Sequence, residues 1–186
     1  DKQIDVWPLS KVDLDSILAT PRELSPEFTR SIDPSVKGFH TAEYLLFGDG
    51  IDSNRKTIEQ MSARQIDYLV SVTRVIAEET QRLYSAWIEK FDVSISTSPS
   101  YLSILMNPGF DNQFYGSTSS VLQEFVQGLR GIAVEVGSKK LAGPLAGDIR
   151  SADSSLVESQ FSWNSLSDFQ NNIHSMQNVY TGDYGG

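Results

Sequence analysis

With 186 residues, 39% of them hydrophobic and 21% charged, the chain has the apolar material for one compact domain or two small ones. Acid outweighs base, 24 to 15, for a formal net charge of −9, and no Lys/Arg cluster occurs, so the pattern speaks against nucleic acid and anionic bilayers as partners. Cysteine is absent, which removes disulfides, thiolate metal centres and a cysteine nucleophile, and no run approaches the roughly 20 apolar residues that span a bilayer.

Residues 1–35 hold Pro8, Pro21, Pro26 and Pro34, and between such breaks only short helices fit. One is expected from Leu9 to Ala19 with Ser10 as its cap. Another starts at Ser25-Pro26-Glu27, and Asp33-Pro34 repeats that signal ahead of a helix carrying His40. Gly48-Asp49-Gly50 ends that helix, and a polar loop follows through Asp52-Ser53-Asn54. From Thr57 to Lys90 apolar residues recur mainly at spacings of three and four without proline or glycine, which predicts one long helix. Residues 92–115, broken by Ser98-Pro99, Asn107-Pro108-Gly109 and Asp111-Asn112, read as a linker with a short helix near Tyr101 to Leu105. A second long helix is expected from Ser119 to Ser138, closed by Gly137, Gly143 and Pro144. A last one, capped by Asn164 or Ser165, runs through Tyr180. Period-two alternation of strand length is almost lacking, so the fold class is all-α, built from bundle fragments. The boundaries suggested are a first bundle at 1–95, a linker at 96–118 and a second bundle at 119–186. The start at Asp1 and the loop-like ending Thr181-Gly182-Asp183-Tyr184-Gly185-Gly186 lead us to expect further material at both ends.

Chemistry is concentrated in Gly38-Phe39-His40-Thr41-Ala42-Glu43-Tyr44-Leu45-Leu46-Phe47-Gly48. Only two histidines occur, and His40 stands three residues before a carboxylate. On a helix those positions lie roughly 60° apart, so His40 and Glu43 share a face. The bland reading is a buried histidine bonded to its helix neighbour. The sharper one is part of a metal site, with one nitrogen and one oxygen ligand and the remaining donors supplied from elsewhere in the fold. His174, between Ile173 and Met176, fits a packing or surface role.

This stretch resembles the GxHxxE motif of the imelysin family. Ile4-Asp5-Val6-Trp7-Pro8 is similar to the segment leading up to that motif. Val157-Glu158-Ser159-Gln160-Phe161-Ser162, Ser167-Asp168-Phe169 and Asn178-Val179-Tyr180-Thr181-Gly182 resemble its later region. The resemblance implies two four-helix-type bundles, of which the first and last helices are absent here, with a site at their junction. It also implies a bacterial cell-envelope setting, periplasmic or anchored to the outer membrane as a lipoprotein, and a link to iron uptake and its envelope partners. On this basis Glu158 and Asp168 are candidate further metal ligands, and Gly38, Ser162 and Tyr180 candidate site-lining residues. Asp168 equally fits a helix N-terminus complementing its dipole, and Glu158 a solvated loop. Iron or zinc is the implied ion, and an oxygen-rich, nitrogen-poor set suits iron better than structural zinc.

Two competing functions remain. An imelysin-type metallopeptidase would use the same pair, although no His-Glu-x-x-His string is present and no catalytic residue can be named. A module binding a small ligand or a protein without metal is the third reading. Trp7, Trp87, Trp163, Phe110, Phe114 and Tyr115 are read as packing aromatics rather than a sugar platform.

Overall fold

Capping side chains decide where most of the helices begin. The computed structural model describes residues 2–50 and 56–183; the polar loop expected at Asp52-Ser53-Asn54 and the last three residues lie outside that range. Helix α1 (Lys11–Ala19) starts behind Ser10, whose hydroxyl oxygen accepts from the Asp13 amide. In α2 (Pro26–Ser31), Ser25 caps and proline takes the first position, where its missing N–H leaves no bond unmade. A 3-10 turn at Pro34–Val36, capped by Asp33, leads into α3 (Phe39–Phe47), the histidine helix, bracketed by Gly38 and Gly48.

The long helix α4 (Ala63–Ile88) begins later than its hydrophobic spacing predicts. Gln60 turns its side-chain oxygen back onto the Thr57 amide, which closes a separate 3-10 turn at Ile58–Gln60. Ser62 and Gln65 then cap reciprocally: the Ser62 amide donates to Gln65 Oε1 and the Gln65 amide to Ser62 Oγ. Two caps in succession outcompete continuous helix there. Further on come α5 (Tyr101–Met106), capped by Ser100, and α6 (Thr118–Val134), capped by Ser117. Rather than stopping near Ser138, the chain continues through a π-helical turn at Glu135–Leu141 into α7 (Ala142–Leu145), and ends at Ala146 in the left-handed region (φ 47°). Glycine weakens a helix by about 1 kcal/mol without forbidding it, so Gly137 alone does not stop this one. The last helix, α8 (Ser165–Thr181), starts where its cap signal predicts. No strand occurs among the described residues, and the fold is all-α. No helix among them is long and apolar enough to cross a membrane.

The chain divides into two compact units, residues 1–80 with 153–166, and 81–152 with 167–186. The first is built around Leu14, Val36, Leu45, Tyr68 and Val72, each at most 1% exposed. The Tyr68 hydroxyl donates to the Val36 carbonyl at 2.7 Å, so the ring fills this core with its polar end satisfied. Arg64 of α4 donates to the carbonyls of Ile17, Leu18, Thr20 and Arg22, placing a cation on the C-terminal end of α1. In the second unit Trp87, Phe91, Tyr101 and Phe114 form an aromatic cluster, and the Tyr101 and Tyr115 hydroxyls share a 2.9 Å hydrogen bond. Phe110 is fully exposed.

Candidate metal centre

Helix α3 drives Thr41, Ala42 and Leu45 into the first unit's interior and turns His40 and Glu43 toward two segments from distant parts of the chain. Both segments approach at a glycine. At Gly38 the backbone takes φ +89°, and a Cβ there would stand 2.2 Å from the Ile4 carbonyl oxygen. That carbonyl accepts from the Phe39 amide at 2.8 Å, which seats Ile4-Asp5 across the start of α3. Just beyond the other end, Gly50 takes φ +72°, and its Cβ would stand 2.6 Å from the Gln160 carbonyl oxygen. The Trp163 indole N–H donates to the Gly50 carbonyl, and Phe161 is buried beneath, edge-on to Tyr44 and Trp7. Ser159 and Trp163 hold positive φ, 57° and 59°, so this loop keeps two side-chain-bearing residues in a region they seldom occupy. One glycine thus admits Asp5, the other Glu158 and Ser162.

His40 is 5% exposed. Its Nδ1 lies 3.3 Å from Glu43 Oε2, and the i, i+3 pairing expected from the motif is present. The other Glu43 oxygen, Oε1, accepts from the Ser162 amide at 2.9 Å and from the Ser162 hydroxyl at 2.6 Å. On the far side of the ring, Asp5 Oδ1 comes to 3.2 Å from Nε2 but off the line of a hydrogen bond, so Nε2 is buried with no hydrogen-bond partner. Trp7 packs its ring at 62° to the imidazole, 4.8 Å between centroids. Among the described residues, Asp5, His40 and Glu158 bring donor atoms together, all within 4.8 Å of one another. Asp5 is exposed and Glu158 half-buried, so the group opens to solvent on one side.

The electrostatics follow from this packing. Burial pushes the His40 imidazole down, but the Glu43 hydrogen bond and the negative charges of Asp5, Glu43 and Glu158 outweigh it, and its pKa is raised. Burial pushes Glu43 up, and the bonds from His40 and Ser162 overcome that and hold it below its ordinary value. Carboxylates converging on a buried nitrogen leave a concentration of negative charge that a cation would relieve.

His40, Glu43, Glu158, Gly38 and Ser162 therefore meet around α3. Asp168 and Tyr180 lie on α8, in the second unit: Asp168 stands in that helix's first turn, and Tyr180 is 85% exposed. Asp5 is the donor that sequence reasoning missed. A glycine followed at once by the motif helix, with an acid in the preceding aromatic and proline segment, was the available signal. His174 is exposed, with its ring 3.4 Å from the Gln170 side chain on the same helix.

The family model for Imelysin matches residues 1–186. The iron-regulated protein A of Synechococcus elongatus is 32% identical over 182 residues, which is 98% of this chain and 44% of that protein. A crystal structure of a protein described as an iron-regulated protein A precursor, from Parabacteroides distasonis, superposes with a TM-score of 0.78 at 29% identity, over 100% of this chain and 55% of that one. The chain thus spans about half the length of the relatives it matches. With that match along its whole length, and the fold of the structural neighbour, the chain belongs to the imelysin family.

Proposed function

We propose that this chain is the metal-holding part of an iron-associated protein of the cell envelope, and that Asp5, His40 and Glu158 are its protein ligands. The single observation behind this is the grouping of His40, whose buried Nε2 has no hydrogen-bond partner, with Asp5 and Glu158, their donor atoms within 4.8 Å of one another. One imidazole with two carboxylates is a donor set for ferrous or ferric iron or manganese rather than for structural zinc, which takes four protein ligands, commonly thiolates. When bound, the ion would supply Lewis acidity or be the cargo itself. Asp5, His40 and Glu158 would hold it, Trp7 packs against the imidazole that binds it, and exposed Asp5 would leave that side open for exchange. The names of the two relatives support iron as the first ion to try, and the word precursor in one of them supports an exported setting.

A peptidase reading draws on the same open side. It needs in addition a general base beside the centre, and both oxygens of Glu43 are already engaged. The binding reading therefore asks less of the site. Calorimetric titration with ferrous iron under anaerobic conditions, and with manganese and zinc, tests it. One equivalent is expected to bind, with His40→Ala and Asp5→Asn each losing at least tenfold in affinity. Unchanged binding in His40→Ala overturns the assignment. Incubation with unfolded casein, with and without chelator, separates the peptidase.

A further inference from the structure

We propose that Glu43 is a positioning residue rather than a ligand: clamped by Ser162, it fixes the tautomer of His40 so that Nε2 faces the cation with its lone pair. The inference rests on the metal-binding reading above, but its core concerns only the arrangement within this chain. An ionised carboxylate accepts hydrogen bonds and cannot donate them. Glu43 Oε2 lies 3.3 Å from His40 Nδ1, so a neutral ring must keep its hydrogen on Nδ1 to use that contact. Nε2 is then an acceptor, and it is the nitrogen beside Asp5; Asp5, His40 and Glu158 bring donor atoms within 4.8 Å of one another. A lone pair aimed at carboxylates repels them, unless a cation stands between.

Ser162 makes the choice rigid. Its backbone N–H and its hydroxyl both point at Glu43 Oε1, at 2.9 and 2.6 Å. A backbone N–H has no alternative role, so whatever group replaces Oε1 must be an acceptor. Glu43 has no oxygen left over: one belongs to Ser162, the other to the ring. A ligating histidine commonly gives its second N–H to a carboxylate, which raises the ring's basicity and fixes its plane, and losing that partner costs 10–100-fold in metal affinity. Here the carboxylate is three residues away on the same helix, and its clamp comes from a loop 119 residues downstream.

A pair of substitutions separates this from direct ligation. In Glu43→Gln the amide oxygen must face the Ser162 N–H, which turns the NH2 group toward Nδ1. That donor drives the ring hydrogen onto Nε2, the wrong nitrogen. Glu43→Ala merely releases the ring. Positioning therefore predicts that Glu43→Gln weakens ferrous binding more than Glu43→Ala does, with about a tenfold loss in the alanine variant and about a hundredfold loss in the glutamine variant. Direct ligation predicts the reverse order, because the amide keeps an oxygen donor. The second readout needs no metal: two-bond 1H–15N correlation spectra of the metal-free protein, at a pH where the ring is neutral, report the His40 tautomer, with His174→Gln assigning the signals. The expected result is Nδ1–H in the wild type and Nε2–H in Glu43→Gln. A wild-type ring protonated on Nε2, or a glutamine variant that binds better than the alanine one, overturns the proposal. If no ion binds to the wild type but the tautomers are as expected, the metal reading fails and the positioning role stands.

Discussion

Gly38 shows how much one missing Cβ can decide. Its positive φ and its 2.2 Å approach to the Ile4 carbonyl are each intolerant of a side chain, and together they seat the segment that carries Asp5. Gly38→Ala is expected to cost about 2–4 kcal/mol, the sum of left-handed strain and displacement of a backbone neighbour. It should also lower metal affinity as Asp5→Asn does; urea unfolding and calorimetry measure the two effects, and a stable variant with intact binding would contradict this account. The charges around His40 give a pH signature in the metal-free protein. The folded-state pKa of His40 is raised, so its contribution to stability is complete below its ordinary value of 6.5 and is lost as pH rises through the raised value. That of Glu43 is lowered, so its contribution is present above its ordinary 4.5 and is lost as pH falls through the lowered value. Urea midpoints in the absence of metal should therefore decline as pH rises past 6.5 and through the raised value, while a bound cation, replacing the proton, removes that decline. His40→Gln should flatten that limb above pH 6.5. The sharing of a face by His40 and Glu43 was legible because i, i+3 geometry is local. Asp5 was not, since its place depends on a steric allowance at Gly38 that no spacing announces.

Among the elements, α1 and α4 share an apolar core through Leu14, Tyr68 and Val72 and are joined in addition by one guanidinium. Arg64 satisfies four carbonyls at the end of α1, among them groups that a helix terminus leaves without partners. Arg64→Ala should destabilise by about 2–3 kcal/mol, less than four separate charged bonds would sum to, because water reaches part of this site. Arg64→Lys should restore little, since an ammonium group cannot span the fork. Denaturant unfolding of both variants checks the pair, and full rescue by lysine would reduce the interaction to simple charge. The starts of α1, α2 and α8 were readable from Ser10, Ser25 and the Asn164-Ser165 signal, because caps are local chemistry. The delayed start of α4 was not read, although Gln60 and Gln65 each lie three residues after their caps, since the apolar spacing ran straight through them. Continuation past Gly137 escaped notice for the opposite reason, a helix breaker whose cost of about 1 kcal/mol is too small to end a helix by itself.

Across the whole molecule, the first unit takes residues 153–166 back from far along the sequence, and with them Glu158 and Ser162. Periodicity carries no record of such a return; the residues of that loop are individually unremarkable polar and aromatic types. A cation bridging Asp5, His40 and Glu158 would tie three parts of the chain together. At an ion concentration a hundred times the dissociation constant, mass action adds about 2.7 kcal/mol to stability. Hydrogen exchange should then slow around residues 3–7, 38–43 and 157–163 and leave α5 unchanged. Uniform slowing everywhere, or none, would argue against a bridge at this place.

The 119-residue interval between Glu43 and its serine clamp also sets an order of events. Before residues 153–166 dock, the first unit holds His40 and Asp5 without Glu158, so the proposed donor set is incomplete. That set would be complete only once the loop carrying Glu158 has packed against Gly50. If an ion binds as proposed, its capture waits on the docking of that distant loop and not on the motif helix alone.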